Sequence, residues 1–253
     1  MTSLPVVSLR SKGIERVLSW STSRDLSRYP RVSVVIPTLN EAKNLPHVMP
    51  RIPDWVYEVI IVDGFSNDDT VAVAKSLLSA VIIVMEQARG KGAALRAGFE
   101  AATGDVIVIL DADGSMNPTE MWLFVGALLS GADFVKGSRF LQGGGTDDMS
   151  LFRMIGNGVL TMILRILYGS RSSDLCYGYL AFWKKHAGNL RPTTDGFEVE
   201  TFLNVRALQL GLKIFEVPSF ESKRVFGVSN LRAVPDGWRV LKTMVRERLV
   251  FAR

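Results

Sequence analysis

Two aspartates two residues apart, Asp111 and Asp113, follow the apolar segment 105–110 and are the residues that most clearly suggest chemistry. Two carboxylates this close repel each other and need an answering cation. Mg²⁺ or Mn²⁺ suits such hard oxygen ligands and is commonly held by one or two carboxylates together with the phosphates of a ligand. A solvated turn is the alternative interpretation, because this spacing is common by chance.

Lys91 is a second candidate, because it lies between Gly90 and Gly92 at the start of a predicted helix. Backbone amides at a helix N-terminus, next to glycine, suit an anion such as phosphate. A glycine-rich turn with a solvated lysine is the alternative. The Walker A spacing is absent, and no G-x-G-x-x-G follows the first strand, which argues against a nicotinamide-dependent oxidoreductase.

The first half of the chain alternates between two kinds of segment. Runs rich in β-branched residues predict buried strands at 32–36, 58–62, 80–84 and 105–110. Helical patterns separate them at 44–51, 70–79 and 92–102. This alternation predicts a doubly wound, parallel α/β sheet, whose ligands bind beyond the carboxyl ends of its strands. The loops that begin at Pro37, Asp63 and Asp111 then fall on one edge.

In the second half the alternation loosens. We expect helices at 119–130, 151–168, 198–210 and 236–251, strands at 133–138 and 212–218, and a flexible loop at 142–148. The last helix carries a stripe of apolar residues flanked by Arg239, Lys242 and Arg246; the stripe comprises Trp238, Leu241, Met244, Val245 and Leu249. It resembles an in-plane membrane helix. Packing against the body, with arginine stems at the rim, is the alternative for this helix and for 151–168.

No run of about 18 uncharged apolar residues occurs, so no membrane-spanning helix is expected. The chain has 253 residues, of which 47% are hydrophobic and 22% charged, as in ordinary globular proteins. One cysteine, Cys176, and two histidines, His47 and His186, leave no basis for a disulfide framework or a zinc site.

The net charge of +5 is unevenly distributed. Residues 1–31 hold six basic and two acidic residues, and residues 221–253 hold eight and three, so the middle of the chain is net acidic. A nucleic-acid-binding protein should carry a basic face throughout, so nucleic acid is not expected as a partner. Anionic membrane surfaces or phosphorylated ligands suit the two ends.

The ordered motifs VSVVIPTLNE, IIVDGFSNDDT, ARGKGAALRAGFEAATGD, VILDADGS and KGSRF resemble glycosyltransferase family 2, which has the GT-A fold. The later segments SSDLCYGYLAFWKKH, FEVETFLNVRALQLGLKIFEVP and KRVFGVSNL resemble its dolichyl/polyprenyl-phosphate mannose synthase branch. The resemblance implies an α/β, Rossmann-like, mainly parallel mixed sheet flanked by helices, with C-terminal amphipathic helices. It covers roughly residues 31–235, the expected catalytic domain. The basic N-terminal extension at 1–30 and the basic amphipathic helix at 236–253 lie outside it.

The resemblance also implies roles for individual residues. Pro37, Asn40 and Glu41 would line the nucleotide pocket, and Asp63 would bind the base or ribose. Asp111 and Asp113, with Ala112 between them, would hold the metal and the diphosphate. The remaining expected site residues are Arg139 facing phosphate, Glu200 near the reacting centre, and Arg224 and Ser229 closing over phosphate.

Three positions depart from the family pattern. Ser115 stands where a glutamine can follow the aspartates, and Asn230 stands where many relatives have lysine. Gly64 replaces a second aspartate after Asp63, which leaves the choice between GDP and UDP open.

The implied reaction is a metal-dependent, inverting transfer of a hexose, with mannose favoured, to a polyprenyl phosphate. GDP-mannose is the favoured donor and UDP-glucose the alternative. A metal and cations such as Arg139 would neutralise the departing diphosphate. A phosphate acceptor is already anionic and needs positioning rather than a general base.

Two alternatives remain. An alcohol acceptor, on a soluble glycan, small molecule or protein, would need a base, and the candidates are Glu198, Glu200, Asp174 and Asp195. A non-catalytic nucleotide-sugar-binding or membrane-associated scaffold is the alternative of another class. Paired carboxylates are also used in glycoside hydrolysis, but the metal-type aspartates favour transfer. The expected location is the cytoplasm, with peripheral attachment to the cytoplasmic face of the membrane.

Overall fold

The computed structural model describes residues 29–85, 88–228 and 232–251. Its strands are β1 (Val32–Thr38), β2 (Glu58–Asp63), β3 (Ile82–Met85), β4 (Val106–Ile109), β5 (Phe134–Ser138), β6 (Gly145–Thr146), β7 (Leu180–Trp183), β8 (Ile214–Pro218) and β9 (Phe220–Glu221). Its helices are α1 (Leu45–Val48), α2 (Thr70–Leu77), α3 (Lys91–Ala101), α4 (Met121–Leu129), α5 (Leu151–Tyr168), α6 (Val199–Gln209) and α7 (Ala233–Phe251). Three-residue 3₁₀ helices occupy Met49–Arg51, Pro118–Glu120 and Lys184–His186.

The sheet confirms the predicted α/β architecture. Seven strands are ordered β3-β2-β1-β4-β7-β5-β8. Strands β1 to β4 pair in parallel, β7 pairs antiparallel with both β4 and β5, and β8 pairs in parallel with β5. The sheet is therefore mixed and mainly parallel.

Helices cover both faces of the sheet and pack against its apolar side chains. Strand β4 is buried along its whole length, as expected for a central strand covered on both sides. One face packs against α1, α2 and α4, and the other packs against α3 and α6. A third, smaller core joins α5, α6 and α7.

Two parts of the second half differ from expectation. Strand β7 was not predicted, because four apolar residues inside an irregular segment carry no clear period. It places residues 174–179 beside the end of β4, since Leu180 is paired with Ile109. The loop predicted at 142–148 contains β6, which pairs with β9.

Helix α5 exposes many of its large apolar side chains and buries two polar ones. Asn157, Thr161 and Leu164 are its buried residues, whereas large apolar side chains are exposed, including Ile155 at 59% and Ile166 at 75%. By length and composition alone this helix is long and apolar enough to cross a membrane, and the expectation that no helix spans one stays a prediction. Arg165 and Asn157 nevertheless hydrogen-bond to the 172–176 segment, which fixes the helix to the body of the domain.

The apolar stripe predicted on α7 is partly buried and partly exposed. Met244 is completely buried in the third core, so this part of the stripe packs against the protein. Trp238, Val245 and Leu249 are exposed. The Arg206–Glu247 ion pair adds a polar contact between α6 and α7.

Candidate active site

A cleft of about 790 Å³ opens at the carboxyl edge of the sheet. The loops after β1 and β4, the start of α3, and the segments 176–178 and 193–200 form its walls. Nine of the predicted site residues line it: Pro37, Glu41, Lys91, Asp111, Ala112, Asp113, Arg139, Glu200 and Arg224.

Lys91 lies between two carboxylates in this cleft. Its Nζ is 2.6 Å from Oδ1 of Asp111 and 2.7 Å from Oε1 of Glu200. Burial alone would lower the pKa of Lys91, but the attraction of the two carboxylates raises it above its ordinary value, so the ammonium is charged. Burial raises the pKa of Asp111 to about 6, against the lowering effect of Lys91.

The glycines on either side of Lys91 serve packing in this structure. A Cβ at Gly90 or Gly92 would overlap the backbone carbonyls of Asp195 and Thr194. The amide of Gly92, in the first turn of α3, donates to the Asp195 carbonyl. This amide is therefore already bound within the protein. The group near this turn that could bind a phosphate in the cleft is the ammonium of Lys91.

Asp113 is held from both sides. Its Oδ1 accepts hydrogen bonds from the amide and the hydroxyl of Ser115, at 2.9 and 2.7 Å. Its Oδ2 is 3.2 Å from Nη2 of Arg224, whose Nη1 is 3.0 Å from Oε1 of Glu41. The second aspartate thus shares a cation with a residue of the β1 loop.

The donor set suits a divalent cation that also binds a ligand. Asp111 and Asp113 provide adjacent carboxylates on one loop, which are the hard oxygens that Mg²⁺ or Mn²⁺ prefers. Among the described residues, no cluster of three or more His, Cys, Asp or Glu side chains is placed to bind a metal. The residues fit a cation whose other ligands come from phosphate and water.

Asn40 and Asp63 do not line the cleft in this structure. Asn40 has a left-handed backbone (φ 58°), and its side chain accepts a hydrogen bond from the Asn67 amide. Asp63 is buried and accepts from the Ser66 amide at 3.0 Å. These contacts shape the loops beside the cleft, and the nucleotide contacts expected of both residues stay predictions. Ser229 lies outside the described residues.

Arg139 lies in the wall of the cleft with its charge already matched. It forms a two-point contact with Asp174, at 2.7 and 2.9 Å, and its Nη1 is 3.0 Å from Glu221. Burial would lower its pKa, but hydrogen bonding and attraction to Asp174 raise it. In this structure its guanidinium joins the segment that follows β5 to β9 and to the segment before β7. The contact with phosphate that was expected of Arg139 stays a prediction.

The sequence analysis did not assign Gly178 or a second group of arginines to the site. Gly178 lies under the Lys91–Glu200 pair, where a Cβ would be 2.5 Å from Oε1 of Glu200. Arg153, Arg239 and Arg246 also line the cleft. No local signal marks them as site residues, because α5 and α7 bring them to the cleft only in the folded chain.

The mainly parallel sheet, with an acidic pair beyond its central strand, defines a ligand-binding α/β enzyme site. Residues 33–191 match Glycosyl transferase family 2, and the chain belongs to this family. It is a glycosyltransferase with a GT-A fold.

Its relatives include two enzymes of polyprenyl-phosphate mannose synthesis. The chain is 32% identical to the polyprenol monophosphomannose synthase of Mycolicibacterium smegmatis, over 79% of this chain and 81% of that one. It is 29% identical to the dolichol-phosphate mannosyltransferase of Pyrococcus furiosus, over 80% of this chain and 59% of that one.

A solved structure with the same fold contains a divalent cation and a nucleotide. It is the glucosyl-3-phosphoglycerate synthase of Mycobacterium tuberculosis, in complex with Mn²⁺, UDP and glucosyl-3-phosphoglycerate. The TM-score is 0.67 at 25% identity, with 88% of this chain and 81% of that one covered.

Proposed function

We propose that this glycosyltransferase moves a hexose, with mannose favoured, from a nucleotide sugar to a polyprenyl phosphate in a reaction that requires Mg²⁺ or Mn²⁺. The observation that carries the proposal is the charge arrangement of the cleft. Two adjacent aspartates lie between two cations of the chain, Lys91 at 2.6 Å and Arg224 at 3.2 Å. A metal-bound diphosphate presents the complementary arrangement, with positive charge toward the aspartates and negative charge toward Lys91 and Arg224.

When bound, the divalent cation would neutralise charge on the departing nucleoside diphosphate. The chain's own residues orient the donor. Lys91 and Arg224 supply positive charge on opposite sides of the aspartate loop, and the domain is prearranged so that this charge costs little reorganisation during transfer. Glu200 holds Lys91 at 2.7 Å and thereby fixes where that charge lies.

The state of the carboxylates favours a phosphate acceptor. Three of the four candidate bases are already bound to cations: Asp174 to Arg139, Asp195 to Arg96 and Glu200 to Lys91. In these positions the carboxylates contact cations of the chain rather than the hydroxyl of an acceptor. A phosphate acceptor needs no proton removed, and Arg153, Arg239 and Arg246 add positive charge to the cleft wall.

A soluble phosphorylated acceptor is the second candidate. The similarity to glucosyl-3-phosphoglycerate synthase favours it, together with UDP-glucose as donor. The same arginines would serve either acceptor, because both present an anion. The two candidates differ in whether the enzyme needs a lipid.

An anionic membrane surface is the partner that we propose for α5 and α7. Their exposed apolar side chains form what we call the α5–α7 face: Leu151, Phe152, Ile155, Val159, Met162, Ile166, Trp238 and Leu249. The same helix α7 also carries basic residues, including Lys242 and Arg248. An apolar helix face with flanking cations suits an in-plane membrane contact, on the cytoplasmic side in this proposal.

Calorimetry and a transfer assay test the proposal. With Mn²⁺ present, we expect GDP-mannose to bind more tightly than UDP-glucose, and radiolabelled mannose to appear on polyprenyl phosphate in detergent. A stronger response to UDP-glucose, with transfer to 3-phosphoglycerate and none to lipid, would establish the second candidate. Binding of neither donor would contradict both.

A further inference from the structure

The two aspartates of the cleft differ in the groups that hold them. Oδ1 of Asp111 contacts Nζ of Lys91 at 2.6 Å. Both oxygens of Asp113 are engaged, Oδ1 by Ser115 and Oδ2 by Arg224. A cation that binds both aspartates can share Asp111 with Lys91, but at Asp113 it meets Arg224.

We propose that Arg224 competes with the divalent cation for Asp113, so that cation and donor diphosphate enter the site as a unit. This inference rests on the proposed function. A cation alone must break the Arg224–Asp113 pair and leave the guanidinium with Glu41 only. A diphosphate that arrives with the cation gives Arg224 a new anionic partner, which offsets the loss.

Arg224 is held in place by a segment that is itself fastened to the aspartate loop. We call residues 222–228 the strap segment. The amide of Ser222 donates to the Ser115 carbonyl at 2.8 Å, and the amide of Val225 donates to the Asp113 carbonyl at 3.1 Å. The amide of Phe226 donates to the Asn44 side chain at 2.9 Å. The competition therefore requires only that the Arg224 side chain move, while the backbone around it stays attached.

The geometry of the guanidinium suits this exchange. Its two terminal nitrogens reach two different carboxylates, so Arg224 can release Asp113 and keep Glu41. The Arg224 and Asp113 side chains are 21% and 18% exposed, so their pair is only partly screened by water. By linkage, whatever factor the diphosphate adds to the affinity for the cation, the cation adds to the affinity for the diphosphate.

The test measures Mn²⁺ binding without any turnover. Free Mn²⁺ is followed by electron paramagnetic resonance while the full-length protein is titrated, first alone and then with GDP or UDP. We expect Arg224→Gln to bind Mn²⁺ alone on the order of tenfold more tightly than the wild type, a typical coupling between sites. The enhancement of Mn²⁺ binding by the nucleotide should fall by the same factor.

Arg239→Gln is the matched control, because Arg239 lines the same cleft but pairs with Asp236. If both variants bind Mn²⁺ more tightly to the same extent, the effect is a general change of charge and the inference is wrong. An unchanged affinity in Arg224→Gln would also overturn it. Arg224→Lys provides a second variant. Its ammonium lacks the two terminal nitrogens that span Glu41 and Asp113, so its Mn²⁺ affinity should fall between those of the wild type and Arg224→Gln.

The two proposals fail in different ways. If neither GDP nor UDP binds to the wild type, the proposed donor is wrong, and the comparison with Mn²⁺ alone still decides whether Arg224 competes at Asp113. Thermal unfolding of each variant verifies that the affinities refer to folded protein.

Discussion

Gly178 lies directly beneath Glu200, so close that a Cβ at position 178 would be 2.5 Å from Oε1 of the carboxylate and 3.1 Å from Nζ of Lys91. The Lys91–Glu200 pair therefore occupies space that a side chain at position 178 would take. Strand β7 begins two residues later and fixes the position of Gly178 beside β4.

Gly178→Ala should reduce activity far more than stability. The atoms that a methyl group would meet are the ends of flexible side chains, which can move aside. We expect kcat/KM to fall on the order of 100-fold, because displacing a positioning group by about 1 Å costs this much. The unfolding free energy should change by less than about 1 kcal/mol.

Gly156→Ala is the control for that variant. Gly156 lies on exposed α5, and a Cβ there would meet nothing within 4 Å. Its activity should equal that of the wild type, and helix propensity should add up to about 1 kcal/mol of stability. Equal activity losses in both variants, or an unaffected Gly178→Ala, would contradict the role assigned to position 178.

Asp113→Asn should abolish Mn²⁺-dependent binding of a nucleoside diphosphate and all transfer. The substitution removes one of the two carboxylates that would hold the cation and leaves Arg224 with Glu41 alone. Calorimetry with and without Mn²⁺ measures the loss. Asp105→Asn, at the opposite end of β4 next to Arg31, should bind as the wild type does. Full activity of Asp113→Asn would rule out the proposed metal site.

Asp174→Asn should destabilise the fold strongly at neutral pH. It leaves the buried Arg139 with Glu221 as its remaining carboxylate partner. Breaking a buried pair in this way costs about 3–5 kcal/mol. Chemical denaturation at pH 7 measures the difference, and Glu100→Gln, which breaks the exposed Arg191–Glu100 pair, should cost at most about 1 kcal/mol.

The pH dependence of that difference has a definite sign. Burial would raise the pKa of Asp174, but Arg139 holds it below the ordinary value of 3.8. The ionised carboxylate therefore contributes stability that is fully present above pH 3.8 and is lost as the pH falls through its lower native value. The gap between wild type and Asp174→Asn should narrow there, and a gap that stays constant would show that the ion pair does not cause it.

Charges placed on the α5–α7 face should weaken membrane binding. Ile155 and Ile166 are exposed, so the double variant Ile155→Glu/Ile166→Glu should fold but sediment less with anionic liposomes. Wild-type binding should also weaken as salt screens the α7 cations. Trp122→Glu is the control. Trp122 is also a large apolar residue and is 63% exposed, but it lies on α4. Equal binding by all three proteins would remove the membrane role of this face.

Most of the α/β framework could be predicted from the sequence because its signals are local. The β-branched runs around Val35 and Val108 and the helical patterns between them depend on neighbouring residues only, and the structure confirms these elements. Strand β7 was missed because its place between β4 and β5 depends on partners 44 to 77 residues away. The direction of α7 was only partly foreseen, since Met244 packs inward while Leu249 is exposed.

The sequence by itself determined the family, the edge of the sheet where most of the predicted site residues lie, and the residue types offered there. Motifs such as VILDADGS carry this information because the chemistry of carboxylates and the order of strands are written along the chain. Only the tertiary structure decided which groups face each other. It paired Asp111 with Lys91 and Asp113 with Arg224, and it matched Arg139 to Asp174 inside the wall. These pairings join segments 20 to more than 100 residues apart, and no local pattern encodes such distances.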